Sequence, residues 1–237
     1  MSRLFSIRWP EFDIAMRGRQ LVVRYEPGMA CFDRCLAVVG RSGAGKSLFA
    51  RALAGLLPSG LFASNEPTSE RWLPSGGSLP IAHDDIAYVP QSPASALPSA
   101  ITCSALLREV IRWSHGDPCS QPGPEDHLER VGLDPATTSN LHASQLSGGM
   151  AQRFAICLAV ARQPHLLVVD EPTVGLDADA ARRMLELIRS LPKDGQMGVI
   201  LVTHDRRATG IADGHLLVER HGTTVSLKNG ESGKLEW

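Results

Sequence analysis

A short glycine-rich stretch constrains the fold of this chain more than any other feature. It matches the pattern G-x-x-x-x-G-K-[ST] with the residues Gly40, Arg41, Ser42, Gly43, Ala44, Gly45, Lys46 and Ser47. The apolar run 35–39 predicts a buried strand before it, and the run from Ser47 to Leu57 predicts a helix that ends at Pro58. Glycines let a backbone wrap around phosphate oxygens, and a helix N-terminus adds partial positive charge. The stretch therefore predicts a phosphate-binding loop, with Lys46 reaching the β- and γ-phosphates and Ser47 binding Mg²⁺.

Two adjacent carboxylates follow a second apolar run, at residues 166–169. Such a run is typical of a parallel strand buried on both faces, and open α/β sheets bind ligands at the C-terminal ends of their strands. Neighbouring strand residues point to opposite faces, so the two acids need not share a role. We predict that Asp170 is a partner of Mg²⁺ through water and that Glu171 is a general base for the attacking water. The alternative is a strand that simply ends in acidic residues before Pro172.

A second candidate anion site lies at residues 147–149, about a hundred residues after the phosphate loop. Ser147 is a suitable N-cap for a helix running to about Arg162, and Gly148 and Gly149 would expose backbone N–H groups at its start. A chain with one phosphate loop does not need a second one far away. The arrangement makes sense if this surface binds a nucleotide held by another molecule. The alternative is an ordinary capped helix.

These three elements, in this order, resemble the ATPase subunit of ATP-binding cassette (ABC) transporters. Gln91 resembles the family's Q-loop, which couples nucleotide state to the membrane subunits. Asp177, in Gly-Leu-Asp, resembles the D-loop that contacts the opposite subunit, and His204 follows a strand like the switch histidine. The resemblance implies ATP and Mg²⁺ as ligands, with Gln91 beside Ser47 and Asp170 at the metal. It also implies that His204 contacts the γ-phosphate and, with Glu171, holds the attacking water.

A finer resemblance points to the nickel/peptide importer branch of this family. Met150 follows Ser-Gly-Gly where other members carry glutamine, the segment 91–98 reads Gln-Ser-Pro-Ala-Ser-Ala-Leu-Pro, and Leu48 follows the phosphate loop. The resemblance implies transmembrane permease subunits as partners and, indirectly, a periplasmic or extracellular substrate-binding protein. It also implies a second ABC ATPase subunit, in a homodimer or a heterodimer. Two ATP molecules would lie between the subunits, each held by one chain's phosphate loop and the other chain's residues 147–149.

The expected fold class is α/β, a P-loop NTPase of the ABC type. We expect a mixed sheet core, an N-terminal antiparallel β subdomain and an inserted helical subdomain. The whole chain, 1–237, reads as one ABC ATPase domain, in which 1–91 and 145–237 form the nucleotide-binding core with the β subdomain and 92–144 the helical subdomain. Residues 58–80 read as loop with weak strand content, and 116–124 as a break between helices 101–113 and 125–131. Residues 216–219 and 223–226 predict a closing hairpin around His221 and Gly222.

Composition limits the function classes. The chain has 237 residues, 43% hydrophobic and 21% charged, with a formal net charge of −1, which is typical of a globular protein. It lacks the basic excess of a nucleic-acid-binding domain, so no nucleic acid is expected as a partner. No apolar run approaches the ~20 residues that span a bilayer. We expect a peripheral protein on the cytoplasmic face of the inner or plasma membrane, attached through its partners. The five scattered cysteines favour reduced thiols rather than a disulfide framework or a zinc site.

The adenine contact and the function class stay open at the level of sequence. Members of the family stack adenine on an aromatic residue upstream of the phosphate loop. Phe12 and Tyr25 bracket that position and neither fits it, whereas Arg17 could stack its guanidinium plane. The energising subunit of an importer for nickel, another metal chelate or peptides is one function. The other is a soluble ABC ATPase in a multi-enzyme or nucleic-acid-associated assembly, which the near-neutral charge disfavours.

Overall fold

A computed structural model describes residues 5–16, 18, 20–73, 77–115, 122–192 and 196–230 of the chain. The strands are β1 (Phe5–Trp9), β2 (Phe12–Met16), β3 (Leu21–Tyr25), β4 (Gly28–Phe32), β5 (Cys35–Gly40), β6 (Leu61–Ala63), β7 (Thr68–Trp72), β8 (Ser78–Ile81), β9 (Ile86–Val89), β10 (Leu166–Asp170), β11 (Gly198–Thr203), β12 (Gly214–His221) and β13 (Thr224–Asn229). The α-helices are α1 (Lys46–Leu53), α2 (Cys103–His115), α3 (Pro124–Arg130), α4 (Pro135–Thr138), α5 (Gly148–Ala161) and α6 (Ala178–Ser190).

The larger sheet has the strand order β6-β2-β3-β13-β12-β5-β11-β10-β9. Its β12, β5, β11, β10 and β9 are mutually parallel, and β13 returns antiparallel to β12. The carboxyl ends of parallel strands meet at one edge of a sheet. That edge therefore collects Gly40 from β5, Asp170 from β10 and Thr203 from β11, together with the loops that follow them.

The central parallel strands β5, β10 and β11 are almost entirely apolar because both faces of the sheet are covered there. Leu36 and Val38 of β5 belong to one hydrophobic cluster, together with Phe49 of α1. Ala37 and Val39 of the same strand belong to a second cluster, with residues of α2, α5 and α6. Each cluster continues through alternate residues of β10 and β11. This two-sided burial is the physical reason for the continuous apolar runs in the sequence.

A smaller sheet is antiparallel throughout, with the order β4-β1-β7-β8. Phe5 of β1 stacks on Phe32 of β4, with ring centroids 5.6 Å apart. Both rings belong to the same cluster as Phe49, so this sheet packs against the face of the large sheet that α1 covers. The predicted combination of a mixed sheet, helices and an antiparallel sheet in the N-terminal part of the chain is confirmed.

Several local predictions need correction. The first helix ends at Leu53 rather than Leu57, because Gly55 takes a left-handed conformation with φ of 67°. Residues 58–80, predicted as loop with weak strand content, contain β6, β7 and the start of β8. β6 and β8 are only 3 and 4 residues long and β7 is mostly polar, so none of them gives a clear apolar pattern. The single-turn helix α4 was not predicted. Much of the predicted break at 116–124 lies outside the described residues.

Helices α2, α3 and α4 fall within 92–144, the predicted helical subdomain. The boundaries of that subdivision, with 1–91 and 145–237 as the core, stay a prediction. Among the helices of the described residues, none combines the length and the apolar character that a membrane crossing requires.

Candidate functional site

Two glycines of the phosphate loop, Gly40 and Gly45, occupy positions that a residue with a side chain would strain. At Gly40, the last residue of β5, an added Cβ would lie 2.6 Å from the carbonyl oxygen of Val218. Gly45 caps α1 with φ of 104°, which L side chains rarely adopt. The loop thus passes close to β12 and then turns directly into the helix. Its geometry places the unpaired N–H groups of the first turn of α1 at the edge of the sheet, as anion binding requires.

Lys46 is buried, with only 4% of its surface exposed. Its Nζ donates to the carbonyl oxygens of Gly40 and Arg41, both at 2.9 Å, and lies 3.5 Å from Oε1 of Glu171. Two of the three donors of the ammonium are used by these carbonyl oxygens, and the carboxylate of Glu171 forms an ion pair with it. The positive charge is therefore held inside the loop, between its backbone and the carboxylate that follows β10.

Asp170 accepts hydrogen bonds on both carboxylate oxygens. The hydroxyl of Ser47 donates to Oδ1 at 2.9 Å, and the hydroxyl of Tyr88 donates to Oδ2 at 2.6 Å. Arg51 in turn donates from Nε to the Tyr88 oxygen at 3.1 Å. Burial, together with the bond to Asp170, raises the pKa of the Tyr88 phenol far above its ordinary value, so this hydroxyl remains a donor.

The pair of Ser47 and Asp170 fits a magnesium ion. Hydroxyl and carboxylate oxygens are the hard ligands that Mg²⁺ prefers, and the ion usually takes one or two protein ligands and completes its shell with water and substrate phosphate. Within the described residues, no group of three or more His, Cys, Asp and Glu side chains could hold a metal. A hydroxyl and one carboxylate at the end of a phosphate loop are consistent with a metal that depends on the nucleotide for its remaining ligands.

Glu171 and His204 form a second polar pair at the same edge. His204 Nδ1 lies 2.8 Å from Oε2 of Glu171, and the His204 backbone N–H donates to the same oxygen at 3.3 Å. Glu171 is 8% exposed and has φ of 48°, an uncommon conformation for a residue with a side chain. Its N–H donates to Val202 of β11, which fixes this turn. Asp170 and Glu171 therefore have different partners, as the alternation of strand residues predicted.

One cavity, of about 370 Å³, brings half of the predicted site residues together. It is lined by Ser42, Gly43, Gly45, Lys46, Ser47, Leu48, Gln91, Glu171, Val174, His204 and Arg220. These residues come from the phosphate loop, from the segment after β9, and from the ends of β10, β11 and β12. The set contains a cation, a general-base candidate and a histidine around a space lined by the phosphate loop.

The second candidate anion site is separate from this cavity. Among the described residues that line the cavity, none belongs to the group Ser147, Gly148, Gly149 and Asp177. Ser147 is the N-cap of α5, and its Oγ accepts from the N–H of Met150 at 3.3 Å. An added Cβ at Gly148 would meet nothing within 4 Å, so the start of α5 is open. Asp177 similarly caps α6, where its Oδ1 accepts from the N–H of Ala180 at 2.8 Å.

The aromatic residues near the expected adenine position are not available for stacking. Phe12 and Tyr25 are 1% and 0% exposed and stack on each other, with centroids 4.6 Å apart and planes 10° apart. Tyr25 also donates to the carbonyl oxygen of Gly45 at 2.7 Å, and this hydrogen bond stabilises the phosphate loop. Arg17 lies outside the described residues, as does Cys119. Sequence reasoning missed Tyr88, Arg51 and Arg220, for which no local pattern gives a signal.

The fold and the site define a P-loop NTPase. Comparison with known families makes this specific, because residues 32–174 match the model of the ABC transporter family. The chain belongs to this family, as its three motifs indicated. The fold is shared with solved structures at lower identity. One is a metal-chelate type ABC transporter in an inward-facing conformation, with a TM-score of 0.66 and 24% identity over 97% of this chain and 84% of the other. Another is an ATP-binding cassette dimer in a post-hydrolysis state with ADP and Pi, with a TM-score of 0.65 and 20% identity over 90% of this chain and 93% of the other.

Curated relatives include ATP-binding subunits of importers. The dipeptide transport ATP-binding protein DppD of Haemophilus influenzae is 33% identical over 80% of this chain and 60% of its own length. The nickel import ATP-binding protein NikD of Brucella abortus is 34% identical over 81% of this chain and 74% of its own length. The chain thus spans less than two thirds of the dipeptide relative. The predicted branch is confirmed, since relatives with peptide and nickel names both match.

Proposed function

We propose that this chain hydrolyses ATP with Mg²⁺ and energises an importer of peptides, nickel or another metal chelate. The observation that carries the proposal is the single cavity in which the phosphate loop, Gln91, Glu171 and His204 meet. Such a cavity holds every type of group that phosphoryl transfer needs: a cradle for phosphates, a cation, a metal ligand and a base.

The phosphate loop provides binding and charge stabilisation. Lys46 would exchange its bonds to the carbonyl oxygens of Gly40 and Arg41 for bonds to the β- and γ-phosphates. Because the ammonium is already buried, little reorganisation is needed, and its attraction to phosphate is weakly screened. Ser47, Asp170 and Gln91 would hold Mg²⁺, which neutralises charge that develops on the phosphate oxygens during transfer.

Glu171 would act as the general base on the attacking water. Its Oε2 is anchored by two N–H groups of His204, from the ring and the backbone, so the carboxylate has a defined orientation. The bond at Nδ1 leaves Nε2 of His204 for a contact with the γ-phosphate. His204 would thus position both the base and the γ-phosphate that is transferred to water.

A complete site would need a second ABC ATPase subunit. The open start of α5, with Ser147, Gly148 and Gly149, suits phosphate binding but does not line the chain's own cavity. It would contact the nucleotide of a partner subunit in a homodimer or a heterodimer, and Asp177 would lie near that contact. Closure of the pair would then be coupled to ATP binding.

Coupling to permease subunits would use the surface next to Gln91. A groove there is lined by apolar residues from β9, the segment after it, α2 and α5, among them Ala87, Pro93, Leu97, Val110 and Leu158. Its position directly after Gln91 would pass movement at the γ-phosphate to a permease helix. The chain would then work at the cytoplasmic face of the inner or plasma membrane, with a substrate-binding protein acting indirectly.

A soluble ABC ATPase, acting in an enzyme assembly or on nucleic acid, is the alternative. The fold does not decide against it, because the cavity at the phosphate loop would serve either function. The importer is favoured because curated relatives with peptide and nickel import names match most of the chain.

Glu171→Gln tests the chemistry. We expect the variant to bind ATP but to lose hydrolysis, whereas Lys46→Ala weakens nucleotide binding itself. Glu129→Gln, an exposed position on α3, is the matched control and keeps wild-type turnover.

Light scattering of Glu171→Gln with and without ATP tests the dimer. A dimer that persists without nucleotide and tolerates Ser147→Arg contradicts the shared site.

Gln91→Ala tests the importer. In vesicles reconstituted with the permease pair, we expect nearly normal ATP binding but hydrolysis that no longer drives uptake of nickel or short peptides, each assayed separately. Full uptake by the variant excludes this coupling route. Failure of the chain to associate with any permease pair favours the soluble alternative.

A further inference from the structure

A chain of hydrogen bonds leads from the carboxylate of Asp170 back to the helix that carries Ser47. Oδ1 of Asp170 accepts from Ser47 at 2.9 Å, and Oδ2 accepts from Tyr88 at 2.6 Å. Arg51 donates to the Tyr88 oxygen at 3.1 Å. Ser47 and Arg51 are four residues apart in α1, so they lie one turn apart on the same side of that helix. Tyr88 and Arg51 thus join the site, although neither belongs to a motif that the sequence showed.

The register of the sheet puts Tyr88 on the same face as Asp170. Tyr88 pairs with Val168, which lies two residues before Asp170 in β10. Residues two apart on a strand share a face, so the phenol and the carboxylate both project toward α1. Tyr88 also packs against the apolar cluster that contains Val168 and Phe49 of α1. The ring is therefore held by packing while its hydroxyl reaches Asp170.

The orientation of the Asp170 carboxylate has to be fixed by its neighbours. The torsion that rotates a carboxylate is broad and has little preference of its own. Asp170 is 1% exposed, so bulk water contributes little to its orientation. The hydroxyl of Ser47 would also have to offer its oxygen to Mg²⁺. Tyr88 is not among the described residues that line the phosphate cavity, so its hydroxyl is left for Asp170 alone.

Arg51 keeps the phenol of Tyr88 directed at Asp170. A phenol has a single proton, and a guanidinium only donates, so the bond from Arg51 leaves the Tyr88 proton for Oδ2. The positive charge beside the phenol oxygen also polarises it and strengthens its own donation. Both bonds therefore run in one direction, from the guanidinium through the phenol to the carboxylate.

We propose that Tyr88, oriented by Arg51, is a positioning residue that sets how tightly the site binds magnesium. This role rests on the proposed function, because it concerns a metal that is bound together with the nucleotide. Tyr88 holds Oδ2, so Asp170 keeps Oδ1 beside Ser47. The Ser47 hydroxyl can then donate to Oδ1 while its oxygen serves the metal. Loss of such an outer partner typically costs roughly 10- to 100-fold in metal affinity.

Calorimetry with a non-hydrolysable imido analogue of ATP tests this role without any turnover. The Kd of the analogue in EDTA, divided by its Kd in Mg²⁺, gives a magnesium factor for each protein. We expect Tyr88→Phe to lower this factor by roughly 10- to 100-fold and to leave the Kd in EDTA unchanged. Arg51→Met should lower it by roughly 2- to 10-fold, the contribution of one ordinary hydrogen bond. Trp72→Phe, which removes a bond from a ring N–H to Ser6 in the smaller sheet, is the matched control with an unchanged factor.

A folded Tyr88→Phe protein that keeps the wild-type magnesium factor overturns the positioning role, also when its affinity falls equally in EDTA and in Mg²⁺. If Tyr88→Phe does not fold, Arg51→Met decides, and an unchanged factor in that variant overturns the role. The effect must also run through Asp170. Adding Tyr88→Phe to Asp170→Asn should change the already low factor by less than about twofold, and a full additional loss contradicts the proposal.

The wild-type protein separates this role from the function on which it rests. A wild-type protein that binds the analogue more tightly with Mg²⁺ supports the proposed function, even if Tyr88→Phe then proves to have no effect on the factor. If Mg²⁺ makes no difference to the wild-type affinity, or the analogue does not bind, the proposed magnesium-dependent hydrolysis is wrong and the positioning role is wrong with it.

Discussion

The hydroxyl of Tyr88 holds Asp170, a residue of the proposed magnesium site, in position. It donates to Oδ2 of Asp170 at 2.6 Å and accepts from Nε of Arg51 at 3.1 Å. We predict that Tyr88→Phe destabilises the protein and loosens Asp170, because one carboxylate oxygen and one guanidinium N–H both lose their partner. The ring itself is retained, so packing against Arg51, whose guanidinium lies 5.7 Å from the ring centroid, persists.

The stability that Tyr88→Phe should lose follows from the charge of its partner, the carboxylate of Asp170. A hydrogen bond to a charged group contributes about 1.5–3 kcal/mol, compared with about 1 kcal/mol for a neutral pair. In a domain of this size each kcal/mol lowers the melting temperature by about 2–4 °C, so Tyr88→Phe should lower it by roughly 3–12 °C. Because Oδ1 still accepts from Ser47, Asp170 is not lost from the site but gains freedom to rotate.

A double-mutant cycle with Asp170→Ala measures this interaction directly. Denaturant unfolding of the wild type, both single variants and the double variant should give a coupling energy of about 1–3 kcal/mol between the two positions. Tyr25→Phe is the matched control, since its hydroxyl bonds to the Gly45 carbonyl and not to Asp170. The cost of Tyr25→Phe should add to that of Asp170→Ala within about 0.5 kcal/mol. A Tyr88→Phe cost that is unchanged in the Asp170→Ala background refutes the role assigned to this hydroxyl.

Three further predictions concern the loop, an ion pair and a thiol. Gly45→Ala should destabilise the protein more than Gly43→Ala in urea unfolding: φ is positive at both, but only at Gly45 would the Cβ lie 3.0 Å from a tyrosine hydroxyl, and equal costs contradict this. Hydrogen bonding from Arg207, more than its charge, lowers the pKa of Asp205 below the ordinary 3.8. The stability lost in Arg207→Gln should therefore be full at neutral pH and shrink as pH falls below that value; a loss that stays constant down to pH ~2 contradicts it. Burial raises the pKa of the Cys157 thiol to about 12, so mass spectrometry should find it alkylated only after unfolding, and rapid labelling of the native protein argues against its burial.

Local sequence determined the parts of the site that are contiguous in the chain. The phosphate loop, the capped start of α5 and the carboxylate pair after β10 are each a run of neighbouring residues with its own backbone requirement. The residue types meet these requirements: glycine at 40 and 45, serine at the N-cap of α5, and an apolar run before Asp170. For the same reason the central strands and the long helices were predicted within a few residues, whereas β6 to β8, which are too short or too polar to give an apolar pattern, were predicted only as weak strand content.

Tertiary structure alone decided how these runs are placed against one another. Tyr88 and Asp170 are 82 residues apart, and Arg220 and Gly43 are 177 apart. They meet because β9 pairs with β10 and because β12 lies beside β5 in the sheet. A continuous apolar run indicates that both faces of a strand are buried, but it does not indicate which strand is its neighbour. The supports of Asp170, the burial of Phe12 and Tyr25, and the place of Arg220 beside the phosphate loop are therefore consequences of strand order, which no local pattern contains.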